Sequence, residues 1–413
     1  MSTTERIGAG RYLSAAATPA NTTVSVHELT TTDGATVSGV LRTVPGAATV
    51  AFLMHPRQDF THHVLVSEFL ARGCAVWTQG ARTMGNDLTL LHEQALLDMA
   101  AGHVFLRQHG FDAVVAVGHS GGGTLAAYYI EQASLAPSAR FANTPGGRTV
   151  PLPEADMPEP DAAVFMAPHP GQGALLMRMI DPSVVDESDP LSVDPTLDPF
   201  NSDNGFVQAP ESSTYTGEFI DRYRAAQRVR IARINDIAHA RVHAAACARQ
   251  RHKQTGDPAA RRKALASGVL TVHRTDADLR CMDLALDPND RPYGSLFGSR
   301  PDLTNYGVVG FGRVTTPEAW LSTWSGLSTR ADFLRCAPAV RIPSLLIELT
   351  GDQACFPVDA RAMASALGGA DVTHVRVRGK HFGAGLTTGE PTGASLAGER
   401  IGHWLHERYD TRH

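Results

Sequence analysis

Gly118-His119-Ser120-Gly121-Gly122 is the segment that most constrains how this chain can fold. The apolar run Ala113-Val114-Val115-Ala116-Val117 leads into it, and residues 124–130 after it read as a helix. A strand, a sharp turn and a helix therefore follow one another, with serine at the apex. So tight a turn puts the serine in strained backbone geometry and needs small neighbours. It also holds the hydroxyl clear of a sheet, with the next residue's N–H aimed at the same point. A plain glycine-rich turn is the alternative; the flanking strand and helix argue against it.

The rest of the chain alternates in the same way. Residues 24–29 and 36–41 flank Thr32-Asp33-Gly34 and read as a hairpin. Residues 48–54, 74–78 and 161–167 read as buried strands, 64–72 as a helix stopped by Gly73, and 88–109 as a long amphipathic helix stopped by Gly110. The pattern breaks after 171 and returns with a strand at 344–350, a helix at 358–367, a strand at 372–377 and a helix at 395–409. Short apolar strands alternating with helices argue for a mostly parallel sheet covered on both faces, an α/β fold. The divisions expected are a weakly ordered arm at 1–24, a first core part at 25–171, an insertion at 172–338 and a second core part at 339–413.

Within the insertion, residues 215–251 read as one helix, striped by Ile220, Tyr223, Gln227, Ile231, Ile234, Ala238, Val242 and Ala245. Residues 261–338 read as further helices and glycine-rich turns. The long helix carries Arg222, Arg224, Arg228, Arg230, Arg233, Arg241, Arg249 and Arg251. A solvated face is the expectation; a phosphate-bearing partner such as coenzyme A, or a subunit contact, is the alternative. Residues 181–204 are acidic but fit no standard calcium loop, so a lid or linker is expected there. The glycines of 307–312 follow no core strand and give little case for a nucleotide.

Composition narrows the partners. With 43% apolar and 19% charged residues, a chain of 413 residues can build a large core. A formal net charge of −5 gives no case for nucleic acid. Five scattered cysteines without a C-x-x-C pair indicate neither a disulfide framework nor a zinc site. No secretory signal and no membrane-spanning run is seen, so a cytoplasmic protein with free thiols is expected.

A serine nucleophile needs a base within hydrogen-bond reach and an acid to orient that base. Asp352 ends the apolar run 346–350 plus Gly351, and His381 lies just past the last strand. Loops at the carboxyl edge of a parallel sheet are where such sheets bind ligands. Asp359 and His374 are the rivals; the first sits inside a helix pattern and the second inside a strand run. The strand at 161–167 leads into Pro168-His169-Pro170-Gly171 and offers no acid.

On Ser120, Asp352 and His381, in that order, the chain resembles the α/β-hydrolase superfamily over roughly 25–170 and 340–410. The resemblance implies an α/β-hydrolase fold, mostly parallel with helices on both faces, and a mainly helical cap inserted after the sixth strand. It implies an oxyanion hole made by Gly121 N–H and an N–H from the loop after the third strand. That loop reads Met54-His55-Pro56-Arg57-Gln58, and proline stands where the family commonly has glycine. Proline has no N–H, so Arg57 N–H becomes the expected second donor, with His55 bracing the loop. The Arg57 side chain, His62, His63 and His119 are candidates for substrate contacts. His62-His63 has no third ligand nearby, so no metal site is expected.

The function expected is a serine hydrolase acting on a carbonyl of a small organic molecule, with no cofactor. A carboxylic ester is the first expectation, with thioester or lactone as variants. Carbon–carbon bond hydrolysis beside a ketone is the alternative, and a non-catalytic hydrolase-fold binding module the third. A homodimer through the insertion is compatible with the sequence.

Overall fold

The computed structural model describes residues 17–266 and 268–409. Most of the expected arm lies outside these residues, and Thr23 already begins the first strand. β1 (Thr23–Thr30) and β2 (Thr36–Thr43) form the hairpin, with Thr23 opposite Thr43 and Thr30 opposite Thr36. β3 (Thr49–His55), α1 (Leu65–Ala71) and β4 (Ala75–Gly80) follow. α2 (His92–Gln108) starts four residues later than its apolar pattern suggested. Residues 87–89 wind instead as a 3₁₀ turn, because the Asn86 side chain accepts the Leu88 N–H. β5 (Ala113–His119) runs through the serine turn into α3 (Gly121–Ala133), and β6 (Ala162–Met166) completes the first core part.

The insertion is less helical than its sequence suggested. α4 (Gln172–Met179), α5 (Gly217–Thr255) and α6 (Pro258–Leu265) are its longer helices. Beyond them the chain runs through β7 (Leu270–Thr271), α7 (Pro301–Thr304), β8 (Val314–Thr315), α8 (Pro317–Ala319), a π turn at Trp320–Trp324 and α9 (Phe333–Cys336). The second core part is β9 (Ser344–Gly351), α10 (Pro357–Ala366), β10 (Val372–Lys380) and α11 (Gly393–His406).

The eight core strands form one sheet in the order β1-β2-β4-β3-β5-β6-β9-β10. β2 runs antiparallel to both neighbours; every other pairing after it is parallel. The period-2 alternation of side chains divides the core between two faces. Val114 and Ala116 of β5 face the cluster that holds Phe52, Leu125, Tyr128 and Phe333. Val115 and Val117 face the other, with Leu65, Phe69, Ile401 and Trp404. α2, α3 and α10 therefore cover one face, and α1 and α11 the other.

α5 shows why the insertion folds as it does. Thr216 Oγ1 caps it by accepting the Phe219 N–H at 3.2 Å, and Gly256 ends it in the left-handed region at φ 70°. Tyr223, Gln227, Ile231, Ile234, Ala238 and Ala245 of the apolar stripe are buried; Ile220 and Val242 are partly so. The solvated arginine face holds at Arg222, Arg228, Arg241, Arg249 and Arg251, which are exposed, and fails at Arg224, Arg230 and Arg233. Arg230 is buried and donates to Glu187, Asp181 O and His273 O, Arg233 joins it on Glu187, and Arg224 reaches Asp278. These guanidiniums fasten the surrounding loops to the helix.

The insertion also binds the sheet's carboxyl-edge loops. Ser322 Oγ accepts the His92 N–H and donates to Glu93, while Asn289 Nδ2 donates to Asp352 O at 2.8 Å. Among the described residues no helix is long and apolar enough to cross a membrane, and no cluster of His, Cys, Asp or Glu could hold a metal ion.

Candidate active site

The turn between β5 and α3 forces Ser120 to φ 56°, ψ −125°, a conformation that L residues avoid. The glycine at 118 is required by close approach. A Cβ there would lie 2.6 Å from the Gly122 carbonyl oxygen. Gly121 N–H is the first of α3, so it has no intrahelical acceptor, and it meets no other backbone acceptor among the described residues.

The structure brings Ser120, His381 and Asp352 together from three strand ends. Ser120 Oγ lies 2.9 Å from His381 Nε2. His381 Nδ1 lies 2.9 and 2.8 Å from the two Asp352 oxygens. Asp352 is fully buried, and its Oδ1 also accepts the Ala354 and Cys355 N–H groups at 2.7 and 3.0 Å. Both Asp352 oxygens face the Nδ1–H of the imidazole, which leaves Nε2 to accept from the serine hydroxyl. The arrangement can draw a proton from Oγ as the oxygen attacks an electrophile.

The rivals are engaged elsewhere. Asp359 pairs with Arg178 at 2.9 Å and Arg280 at 2.9 Å, fastening the insertion to α10. His374 lies 3.3 Å from Glu348 on the neighbouring strand β9.

Three expectations for side-chain contacts are corrected. His63 and His119 are buried behind the turn instead of lining its open side. Leu65 N–H donates to His63 Nδ1, so the ring's proton sits on Nε2 and is given to His119 Nδ1 at 2.9 Å. His119 Nε2–H in turn donates to the His381 carbonyl at 2.8 Å. The two rings hold the His381 backbone in place. Burial, with the His63 and His381 rings beside it, keeps His119 well below the usual histidine range; burial alone lowers His63 to about 3. His62 is exposed.

The Arg57 side chain is the third. Its guanidinium pairs with Asp87 and lies under Phe311 and Trp324 of the insertion, 5.2 and 4.8 Å from their ring centres. It is a fastener between loop and insertion, not an arm reaching for a substrate. The expected backbone donor is corrected as well. Arg57 N–H donates to His55 Nδ1 at 3.0 Å, and Gln58 N–H donates to the same nitrogen at 2.9 Å. His55 does brace the loop, but in doing so its ring occupies the N–H that was to serve as second oxyanion donor.

Sequence reasoning missed His92, His169 and Gln172, which cluster near Ser120. His92 Nε2 and Gln172 Oε1 are 3.2 Å apart, and His169 Nδ1 accepts the Gly171 N–H at 3.1 Å. The available signal was position: His169 and Gln172 follow directly on β6, at the same sheet edge as the serine.

The strand order, the single antiparallel strand β2 and the serine turn after β5 define the α/β-hydrolase fold. No family model and no curated protein sequence matches the chain. Solved structures do match. The esterase domain of a Rhodothermus marinus protein is 12% identical, with 93% of this chain and 99% of that one covered and a TM-score of 0.42. A Pyrococcus furiosus esterase is 10% identical, covering 93% and 92%, with a TM-score of 0.43. The protein DcsB, solved with a substrate analogue, is 13% identical, covering 94% and 100%, with a TM-score of 0.48. These likenesses concern the backbone and say nothing of a substrate.

Proposed function

We propose that this protein is a serine hydrolase that attacks a carbonyl of a small organic substrate, a carboxylic ester first. The observation that carries this reading is the 2.9 Å contact of Ser120 Oγ with an imidazole whose other nitrogen lies against a fully buried carboxylate. Ser120 Oγ attacks the carbonyl carbon while His381 Nε2 takes its proton. Asp352 orients the ring and stabilises its charged form. The tetrahedral intermediate collapses, and His381 returns the proton to the departing alcohol oxygen. Water then attacks the acyl-serine with His381 again as base, releasing acid and free serine. Gly121 N–H meets the oxyanion in both halves. The insertion, seated on the carboxyl-edge loops, acts as the cap that shapes access.

A fluorophosphonate probe tests the reading. Folded protein is expected to be labelled at Ser120 and to hydrolyse p-nitrophenyl esters. A folded chain that stays unlabelled overturns the enzyme reading and leaves a binding module. A labelled chain inert to simple esters overturns the ester and favours carbon–carbon cleavage.

A further inference from the structure

The engagement of Arg57 N–H leaves the oxyanion hole one donor short, and the surroundings of Gly121 supply a replacement. A Cβ built on Gly121 would collide first with Gln172 Nε2, then lie 3.0 Å from His55 Nε2 and 3.1 Å from His169 Nε2. Three side-chain nitrogens thus converge one residue from the nucleophile, beside the Gly121 N–H.

Hydrogen bonding makes the two rings donors there, and the Gln172 amide is oriented to be the third. His55 Nδ1 accepts from Arg57 and Gln58, and His169 Nδ1 accepts from Gly171, so each neutral ring carries its proton on Nε2. Gln172 turns its carbonyl to His92 Nε2, which leaves the amide nitrogen facing Gly121. That nitrogen is buried and has no hydrogen-bond partner among the described residues, although Gln172 is only 2% exposed. Burial keeps the rings uncharged: His169 falls to about 3, His92 to about 4, and His55 lies well below the usual range. The result is a pocket wall of neutral donors. Such a wall suits an oxygen that becomes negative only during reaction, because it binds the ground state weakly and the intermediate strongly.

We propose that Gln172 Nε2–H is a catalytic oxyanion donor acting with Gly121 N–H, flanked by the Nε2–H groups of His55 and His169, in the role expected of Arg57 N–H. His92 is a positioning residue that holds the amide in this orientation. The proposal rests on the serine-hydrolase reading above.

The test compares the full-length chain with Gln172→Leu, which has no donor, and Gln172→Glu, which keeps the shape but presents acceptors. Four quantities are read: kcat and KM for p-nitrophenyl butyrate, inhibition by an alkyl trifluoromethyl ketone that forms a hemiketal oxyanion, and the rate of fluorophosphonate labelling. Both variants are expected to lose about 100-fold in kcat. KM should stay within about threefold, and ketone affinity should fall in parallel with kcat. Either variant, folded and keeping kcat or the labelling rate within about threefold of the parent, overturns the assignment. Should simple esters prove inert, the labelling rate carries the comparison, since phosphonylation also places negative charge on the bound oxygen. A parent chain that is never labelled instead brings down the serine-hydrolase reading itself, so the two failures are distinct.

Discussion

The sheet and the insertion solve the problem of a stable interior in opposite ways. Strands β3, β5 and β6 are buried along their whole length, and almost everything they bring inside is apolar or neutral. The polar groups buried around them include six histidines kept uncharged, alongside the carboxyls of Glu93 and Asp98. The insertion buries charge. Arg280 is packed over the Phe356 ring and paired with Asp278 and Asp359, and the fully buried Asp181 pairs with Arg274. Burial would raise the Asp278 carboxyl, yet Arg280 and Arg224 overcome it and hold the group well below the usual carboxylate range. A sheet interior of this kind is strong by area; an insertion of this kind is strong only while every charge keeps its partner.

Acid is the severest way to break the comparison. His55, His63, His92, His103, His119 and His169 all lie in the first core part, and burial depresses each of them, His63, His103 and His169 to about 3 and His92 to about 4. The unfolded chain binds these protons near pH 6.5, whereas the folded chain refuses them. Stability therefore rises with pH and is lost as pH falls below about 6.5, by about 1.4 kcal/mol per unit for each ring. Thermal melts across pH should show the fold failing by about pH 5. A flat profile between 7 and 5 would sink the idea that the rings stay neutral.

Next in size is chemistry confined to the sheet. Ser120→Ala and His381→Ala should each lower kcat by about 10⁴-fold, which is about 5.5 kcal/mol, with little change in melting temperature. Near-parental turnover in either variant rejects its role. In the insertion, Arg280→Met takes one of two guanidinium partners from each of the buried carboxylates of Asp278 and Asp359, leaving Arg224 and Arg178, and should cost about 3 kcal/mol by denaturant titration. Ile347→Val in β9 removes one buried methylene and should cost about 1 kcal/mol. If the arginine change proves the milder of the two, the contrast between the regions is wrong. Smallest is His103→Phe. Both nitrogens of that buried ring lack hydrogen-bond partners among the described residues, and the ring stacks on Tyr129 at 4.6 Å. The change should stabilise by about 1 kcal/mol at neutral pH and remove one proton's worth of acid sensitivity. A lower melting temperature would count against it.

The same contrast governs what could be read from the chain. The sheet was legible because strands buried on both faces leave continuous apolar runs; β5 and β9 are such strands and end on Ser120 and Asp352, while His381 follows the half-buried edge strand β10. The insertion beyond α6 was not. Its course is set by Asp side chains that accept nearby N–H groups, as Asp278 does from Arg280 and Asp283 from Ala285, and such turns leave no periodicity. The oxyanion loop was legible only in part. Pro56 directs attention to Arg57 N–H, but the choice of acceptor belongs to the His55 ring, which folds back over two residues to take it. His63 and His119 share that difficulty: a ring beside the nucleophile in sequence can face either side of it in space.

The chain of rings behind the serine has a consequence for where a proton can travel. From Leu65 through His63 and His119 every hydrogen bond points the same way, and the last one ends on a carbonyl oxygen rather than on the His381 ring. Each Nδ1 already accepts, so the row has no vacancy to take up a proton and no terminus from which to receive one. It is a strut without conductance. Whatever His381 takes from Ser120 is insulated on that side.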